Sequence, residues 1–252
     1  MEFYKYQATG NDFVIIDNRD QQFLKDEKVI ESLCDRRFGI GADGLILLEN
    51  HDTLDFKMVY FNSDGKGASM CGNGGRCIVV FAHFLDLFED HTKFEAIDGI
   101  HEAEIVNGIV KLKMIDVEQI FTDKEDFIIN TGSPHFIKFV EDLEHYNVYA
   151  EGYKIRHLPD YQDQGINVNF VEILAADSIY VRTYERGVEN ETYSCGTGVT
   201  AAALPFINEN KKIKVKTIGG NLTVYAEKKD RGFVNIWLEG PAKKVFKGKI
   251  SI

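Results

Sequence analysis

Short strand-like runs dominate the chain, broken by a few stretches of helical period. Phe3 to Gln7 and Phe13 to Asp17 read as strands. Asp26 to Phe38 is amphipathic at helical spacing, with Gly39 placed to stop the helix. Strands follow at Leu45 to Glu49 and Phe56 to Phe61. From Asn73 to about Phe88 the pattern changes. Cys77-Ile78-Val79-Val80-Phe81-Ala82-His83-Phe84-Leu85 is apolar on every face, so this helix is expected to be wrapped by sheet. Strands at Lys93 to Ile97, His101 to Val106 and Ile109 to Met114 come next, the last two joined by Asn107-Gly108, a strong two-residue hairpin signal.

The second half repeats this order at offsets of 121 to 126 residues. Ala8-Thr9-Gly10-Asn11-Asp12-Phe13-Val14-Ile15 is echoed by Asn130-Thr131-Gly132-Ser133-Pro134-His135-Phe136-Ile137-Lys138, with one residue inserted. Phe56 to Phe61 then Asn62 matches Ile179 to Tyr184 then Glu185. Ser69-Met70-Cys71-Gly72-Asn73-Gly74-Gly75 matches Tyr193-Ser194-Cys195-Gly196-Thr197-Gly198. Thr197 to Ile207 supplies the second central helix, where Ala201, Ala202 and Ala203 permit close sheet approach and Pro205 kinks or shortens it. Hairpin strands at Leu222 to Glu227 and Gly232 to Leu238 close that copy. The expected fold class is α+β: two pseudo-symmetric domains, each a curved, mostly antiparallel sheet around a central helix. Residues 1–116 form the first and 117–240 the second. A charged crossover runs from Asp116 to Lys124, and residues 241–252 are free to return to the first domain.

Composition narrows the partners. Acidic residues outnumber basic ones by 40 to 29, a net charge of −11, which disfavours nucleic acid and anionic membranes because both are bound through clustered Lys and Arg. A small polar ligand fits better. No run of about 18 charge-free apolar residues occurs, and the chain starts with strand-like residues rather than a basic then apolar leader, so the expectation is a soluble cytoplasmic protein. The four cysteines form no C-x-x-C, and Cys71, Cys77 and His83, with five residues between each pair, lack the spacing of zinc modules. No metal is expected.

The chemistry centres on Cys71 and Cys195. A thiol just ahead of a helix has its thiolate favoured by unpaired backbone N–H groups and by the positive end of the helix dipole. Two such thiols in equivalent places suit inversion of a carbon centre, where a proton is removed from one face and another added to the opposite face; this requires the copies to face one another across a cleft. One sulfur is then the base and the other the acid. The proton alpha to an amino-acid carboxylate is very weakly acidic, so the developing carbanion needs donors, and the N–H groups of Gly72, Asn73, Gly196 and Thr197 can supply them. No pyridoxal-binding lysine motif stands out, and no cofactor is expected.

Gly10-Asn11-Asp12-Phe13, Cys71-Gly72-Asn73-Gly74-Gly75-Arg76-Cys77, Ser133-Pro134-His135, Tyr184-Glu185-Arg186-Gly187 and Cys195-Gly196-Thr197-Gly198 together resemble the diaminopimelate epimerase family over essentially the whole chain. The resemblance implies a cofactor-independent isomerase that interconverts LL- and meso-2,6-diaminopimelate on the route to lysine and peptidoglycan, and commonly a homodimer. It implies that Cys71 and Cys195 are the base and acid, that His135 and Glu185 tune their protonation, and that Asn11, Asn62, Asn167, Glu185 and Arg186 hold the polar ends of the substrate. Arg186 suits bidentate pairing with the distal carboxylate, and Glu185 suits an ammonium group. Two positions depart from the family pattern. Ser133 stands where Asn often precedes Pro-His, which shortens one amide contact to the distal end or hands it to water. Gly44 stands where some relatives carry Gln.

Plainer readings stand beside these. Either cysteine alone is explicable as a small buried hydrophobe, and Cys34 and Cys77, inside apolar helices, are assigned to inert packing. His135 alone reads as a satisfied histidine on a strand. Glu185-Arg186 alone reads as a surface ion pair, and Asn11 as a turn residue. Asn167 competes with Asn169, which points to the same sheet face. Two other functions remain open: a proline or hydroxyproline racemase-like enzyme, which also uses paired cysteines, and a non-catalytic amino-acid-binding protein.

Overall fold

The computed structural model describes residues 1–251 other than Ser69, Lys124, Glu209 and Asn210. Ser69 of the first cysteine motif and Lys124 at the end of the crossover therefore lie outside the described residues. The chain divides into two compact units, Met1–Leu112 with Gly240–Ile252, and Lys113–Glu239.

The first unit contains β1 (Glu2–Ala8), β2 (Asn11–Asp17), α1 (Glu27–Cys34), β3 (Gly44–Glu49), β4 (Phe56–Asn62), α2 (Gly72–Phe84), β5 (His91–Ala96), β6 (Gly99–Val106) and β7 (Ile109–Lys113). The second contains β8 (Phe121–Asp123), β9 (Asp126–Asn130), β10 (Pro134–Phe139), α3 (Val148–Arg156), β11 (Asn167–Ala175), β12 (Ser178–Glu185), β13 (Asn190–Thr192), α4 (Gly196–Ala203), β14 (Lys212–Thr217), β15 (Gly220–Lys229) and β16 (Gly232–Pro241). β17 (Lys243–Lys249) returns to the first unit and pairs antiparallel with β1.

The duplication read from sequence recurs as pairing. β2 runs parallel to β3 with Phe13 opposite Gly44, and β10 runs parallel to β11 with Phe136 opposite Val168. Around the central helices, β4 and β5 pair in parallel at Phe56 and Phe94, and β12 and β14 at Ile179 and Val215. The remaining neighbours named in each unit are antiparallel, including β17 on β1 and β8 on β9. Each copy thus has a mostly antiparallel sheet with two parallel joints. Each joint carries a helix, because a parallel connection needs a crossover.

α2 is wrapped as its pattern predicts: Gly72 to Val79, Phe81 and Ala82 are all buried. Fully burying Ile78, Val79 or Phe81 stabilises by about 1.5–3 kcal/mol each. α4 is buried from Gly198 through Ala203. Pro205 acts as expected: after Ala203 the chain tightens into a 3-10 turn over Leu204–Phe206. The Asn107-Gly108 turn has φ of 52° and 76°, the left-handed pair that a tight hairpin demands.

Two helix ends fall short of the sequence expectation. α1 stops at Cys34, because the Asp35 carboxylate collects the N–H groups of Arg37 and Phe38 at 2.7 and 2.6 Å and turns the chain. Gly39 is therefore not the helix stop; a side chain there would collide with the Ser32 carbonyl. α2 stops at Phe84 rather than near Phe88, as Asp86 adopts a left-handed φ of 55°. No helix among the described residues is long and apolar enough to cross a membrane.

Candidate functional site

Cys71 is the residue that caps α2. It is extended, with φ −97° and ψ 148°, and Sγ accepts the Gly74 N–H at 3.2 Å. Asn11, just past the β1–β2 turn, brings Oδ1 to 3.9 Å from that sulfur. Asn73 Nδ2 donates to the same Oδ1 at 3.3 Å, while Asn11 Nδ2 donates to Asp43 at 2.6 Å. The asparagine cannot turn over without losing both bonds. Neighbouring Asp12 is an anion: burial alone would raise its carboxyl, but hydrogen bonds from Arg36 and Lys5 outweigh that and hold it at about 2. The turn that delivers Asn11 is strained. Thr9 has φ 47°, costly for a β-branched residue, and its buried hydroxyl bonds Asn73 Oδ1 and Arg76 Nη2 at 3.3 Å each.

Asn62 closes β4 opposite Gly44, with its side chain exposed, and the following Ser63 N–H donates to the Asp43 carbonyl at 3.1 Å. Gly44 is packed shut, since a Cβ there would lie 2.6 Å from both the Phe61 carbonyl and the Tyr60 ring.

Cys195 holds the matching place before α4, with φ −106° and ψ 113°, but its side chain makes no capping bond to the helix. Its sulfur instead lies 3.5 Å from Thr197 Oγ1. Thr197 Oγ1 is 3.4 Å from Ser133 Oγ, and Ser133 Oγ is 3.0 Å from His135 Nε2. On the far side of the ring, Asn169 Nδ2 lies 3.1 Å from Nδ1, also donates to the Phe136 carbonyl at 3.2 Å, and receives Thr183 on its oxygen at 2.9 Å. His135 is fully buried, and burial, aided by the charge of Arg186, pushes its pKa down to about 3. The ring is neutral. With Asn169 donating to Nδ1, the network assigns the proton to Nε2. Ser133 then accepts from His135 and from Asn167 Nδ2 at 3.2 Å, leaving its own proton for Thr197 and that of Thr197 for the sulfur. The donors run one way, from the ring to Cys195.

Asn167 also receives the Arg186 backbone N–H on Oδ1 at 2.9 Å. The Arg186 side chain is exposed, and Nη1 donates to the Gln164 carbonyl at 2.7 Å. Glu185, half-buried at the end of β12, accepts from Thr192 at 2.9 Å. The first unit therefore gathers Asn11, Cys71 and Asn73, and the second gathers Cys195, Thr197, His135, Asn167 and the Arg186 backbone. Glu185 and Asn62 stand at strand ends in equivalent repeat positions. Among the described residues, no three His, Cys, Asp or Glu side chains converge as metal ligands do.

Ser133 has a part that sequence reasoning missed. Its hydroxyl joins the side chains of His135, Thr197 and Asn167. The repeat alignment carried the signal, since Ser133 matches Asn11, the residue beside the other thiol. Asn169, treated as a competitor of Asn167, orients His135. Arg76, which the sequence shows only as a member of the first cysteine motif, and Asp43, which holds Asn11, carry no sequence signal for their parts.

Comparison with known proteins adds a family. The sequence profile of the family described as diaminopimelate epimerase matches residues 3–116 and 127–245. The chain is 50% identical to the diaminopimelate epimerase of Flavobacterium psychrophilum over 99% of its own length and 100% of that protein's. It is 42% identical to that of Chlorobaculum tepidum, covering 97% and 99%. A phenazine biosynthesis protein of Bacillus anthracis has the same fold, with a TM-score of 0.77 at 16% identity, covering 100% of this chain and 99% of that one. So does a probable proline racemase of Agrobacterium radiobacter, with a TM-score of 0.72 at 13% identity and coverage of 100% and 93%.

Proposed function

Because the chain belongs to the diaminopimelate epimerase family, we propose that it interconverts LL- and meso-2,6-diaminopimelate with Cys71 and Cys195 as the two proton-transfer groups. It is an isomerase. One sulfur, as thiolate, takes the α-proton; the other, as thiol, delivers a proton to the opposite face of the carbanion, and the protonation states are exchanged at the end of the turn. Charge that develops on the α-carboxylate is met by the N–H groups of Gly72, Asn73, Gly196 and Thr197. His135 works as a neutral donor through Ser133 and Thr197 on Cys195. Glu185 tunes protonation and receives an ammonium group, while Asn11, Asn62, Asn167 and Arg186 hold the polar ends of the substrate.

The observation that carries this reading is the matched placement of the two sulfurs, each the residue before a buried helix in equivalent positions of a duplicated chain. A proline racemase-like activity is the second reading, favoured by the shared fold alone. A homodimer in the cytoplasm belongs to the same proposal and is checked by light scattering and fractionation.

The test uses deuterated water. LL-diaminopimelate, meso-diaminopimelate and proline are incubated separately with the protein, and α-deuterium is read by mass. Label in both diaminopimelate isomers and none in proline is expected; the reverse pattern would overturn the assignment. Cys71→Ala and Cys195→Ala each abolish epimerisation, and substantial turnover by either variant defeats the two-thiol scheme.

A further inference from the structure

Among the described residues Arg76 is the largest fully buried side chain, and it sits on α2 five residues after Cys71. Nη1 donates to the Gly72 carbonyl at 3.1 Å, and Nη2 to Asn73 Oδ1 at 2.8 Å and Thr9 Oγ1 at 3.3 Å. Nε reaches no acceptor. All three acceptors are neutral. A guanidinium taken out of water without an anion costs several kcal/mol, and burial accordingly pushes this one down to about 10, still a cation at neutral pH.

The titratable groups around it narrow the choice of anion. Asp12 on β2 is engaged by Lys5 and Arg36. Tyr6 on β1 is buried, and its phenol is pushed up, chiefly by desolvation. Cys77, on α2 itself, is pushed far up by burial and stays a thiol. Asp98, which accepts the Met70 N–H at 3.4 Å, is paired with His101 at 3.2 Å. Cys71 remains, half-exposed, and an anion there favours the Arg76 cation.

The repeat supplies a comparison inside the same chain. Thr200 stands where Arg76 stands, five residues after Cys195, and its hydroxyl donates to the Gly196 carbonyl at 2.9 Å. A neutral side chain therefore suffices to build this helix start. The arginine adds a buried charge that the equivalent residue of the second copy lacks.

We propose that Arg76 is the fixed counter-charge of the Cys71 thiolate, a positioning residue that favours the anion through space and also locks Asn73 with its amide nitrogen towards Asn11. The inference rests on the two-thiol reading, with Cys71 as a proton-transfer group. Arg76 itself touches no substrate atom. It sets the protonation of the first thiol apart from that of the second, which has threonine at the equivalent helix position.

The test reads thiol ionisation directly. In Cys195→Ala protein, the rate of Cys71 alkylation by iodoacetamide is followed against pH by peptide mass, with Arg76 intact, as Arg76→Lys and as Arg76→Gln. The intact protein is expected to show a midpoint about one unit below the ordinary thiol value of about 8.5. Arg76→Gln raises the midpoint by about one unit and slows alkylation at pH 7 about tenfold, a thiolate fraction following the thiol pKa. Arg76→Lys retains most of the depression. A midpoint at or above the ordinary value with Arg76 intact, or one that does not move in folded Arg76→Gln, overturns the proposal. Should Arg76→Gln fail to fold, Arg76→Thr, which copies the neutral side chain at position 200, takes its place, and an unmoved midpoint there overturns the proposal equally. Activity of Cys71→Ala is scored separately: turnover there sinks the two-thiol reading, whereas this titration needs no turnover.

Discussion

Ser133 Oγ lies 3.0 Å from His135 Nε2, and that contact uses the one proton that a fully buried, neutral imidazole carries. The serine passes its own proton towards Thr197, whose hydroxyl is 3.5 Å from the Cys195 sulfur. The Ser133 hydroxyl is thereby tied to a sulfur rather than idle.

Removing the hydroxyl leaves a buried N–H with no acceptor. Ser133→Ala is expected to lose about 1–3 kcal/mol of stability. It is also expected to lose kcat on the order of tenfold, the rate equivalent of one hydrogen bond. Ser133→Thr keeps the oxygen and most of the rate. Urea unfolding and initial rates on LL-diaminopimelate check both, and an unchanged kcat in Ser133→Ala would remove the relay.

The depressed pKa of His135 has a signature in acid. Its folded value of about 3 lies below the ordinary 6.5, so the unfolded chain binds more protons between those limits. The stabilisation from the neutral ring is complete above pH 6.5 and declines as pH falls towards 3, by at most about 1.4 kcal/mol per unit. Asp12, held at about 2, loses its contribution only below its ordinary 3.8. His135→Gln is expected to flatten the stability profile between pH 4 and 6.5 relative to the unaltered protein. Parallel profiles from urea unfolding would contradict a neutral buried ring.

The four thiols are expected to separate by reactivity. Burial pushes Cys34 up to about 11 and Cys77 higher still. Brief alkylation of the native protein at pH 7.5 marks Cys71 first and Cys195 second, and leaves Cys34 and Cys77 untouched until denaturant is added. Peptide mass mapping reads the order; early labelling of Cys77 would contradict the packing around α2.

Gly198 lets the start of α4 pass close to Asn169. A Cβ there would overlap Asn169 Oδ1, the atom that receives Thr183. Gly198→Ala is expected to cost about 1–3 kcal/mol, as overpacking does. It also disturbs His135 through Asn169, so kcat falls along with thermal stability. Melting temperature and turnover together check it, and a fully active, stable variant would show that α4 has room to move.

Much of this was legible in the sequence because the signals were local or repeated. The all-apolar run from Cys77 to Leu85 identified a wrapped helix, Asn107-Gly108 a hairpin, Pro205 a shortened helix, and the repeated cysteine motif the two capping positions. What escaped depended on contacts between distant segments. The end of α1 turned on an aspartate gathering N–H groups, which competes with helix without altering the apolar pattern. The roles of Ser133, Asn169 and Arg76 follow from what each side chain meets after folding. The repeat alignment set Ser133 against Asn11 and Arg76 against Thr200, and those unlike pairs are where the surroundings of the two thiols diverge.

The antiparallel pairing of β17 with β1 bears on how the polypeptide is made. Glu2 lies opposite Lys249 and the Met1 amine donates to the Ile250 carbonyl at 2.7 Å, so β1 awaits a partner that is synthesised long after it. Until β17 emerges, one margin of the first sheet stays unzipped and prone to stray association. Lys5 at the centre of β1, and the four lysines at 243, 244, 247 and 249 on β17, keep those waiting segments charged rather than sticky.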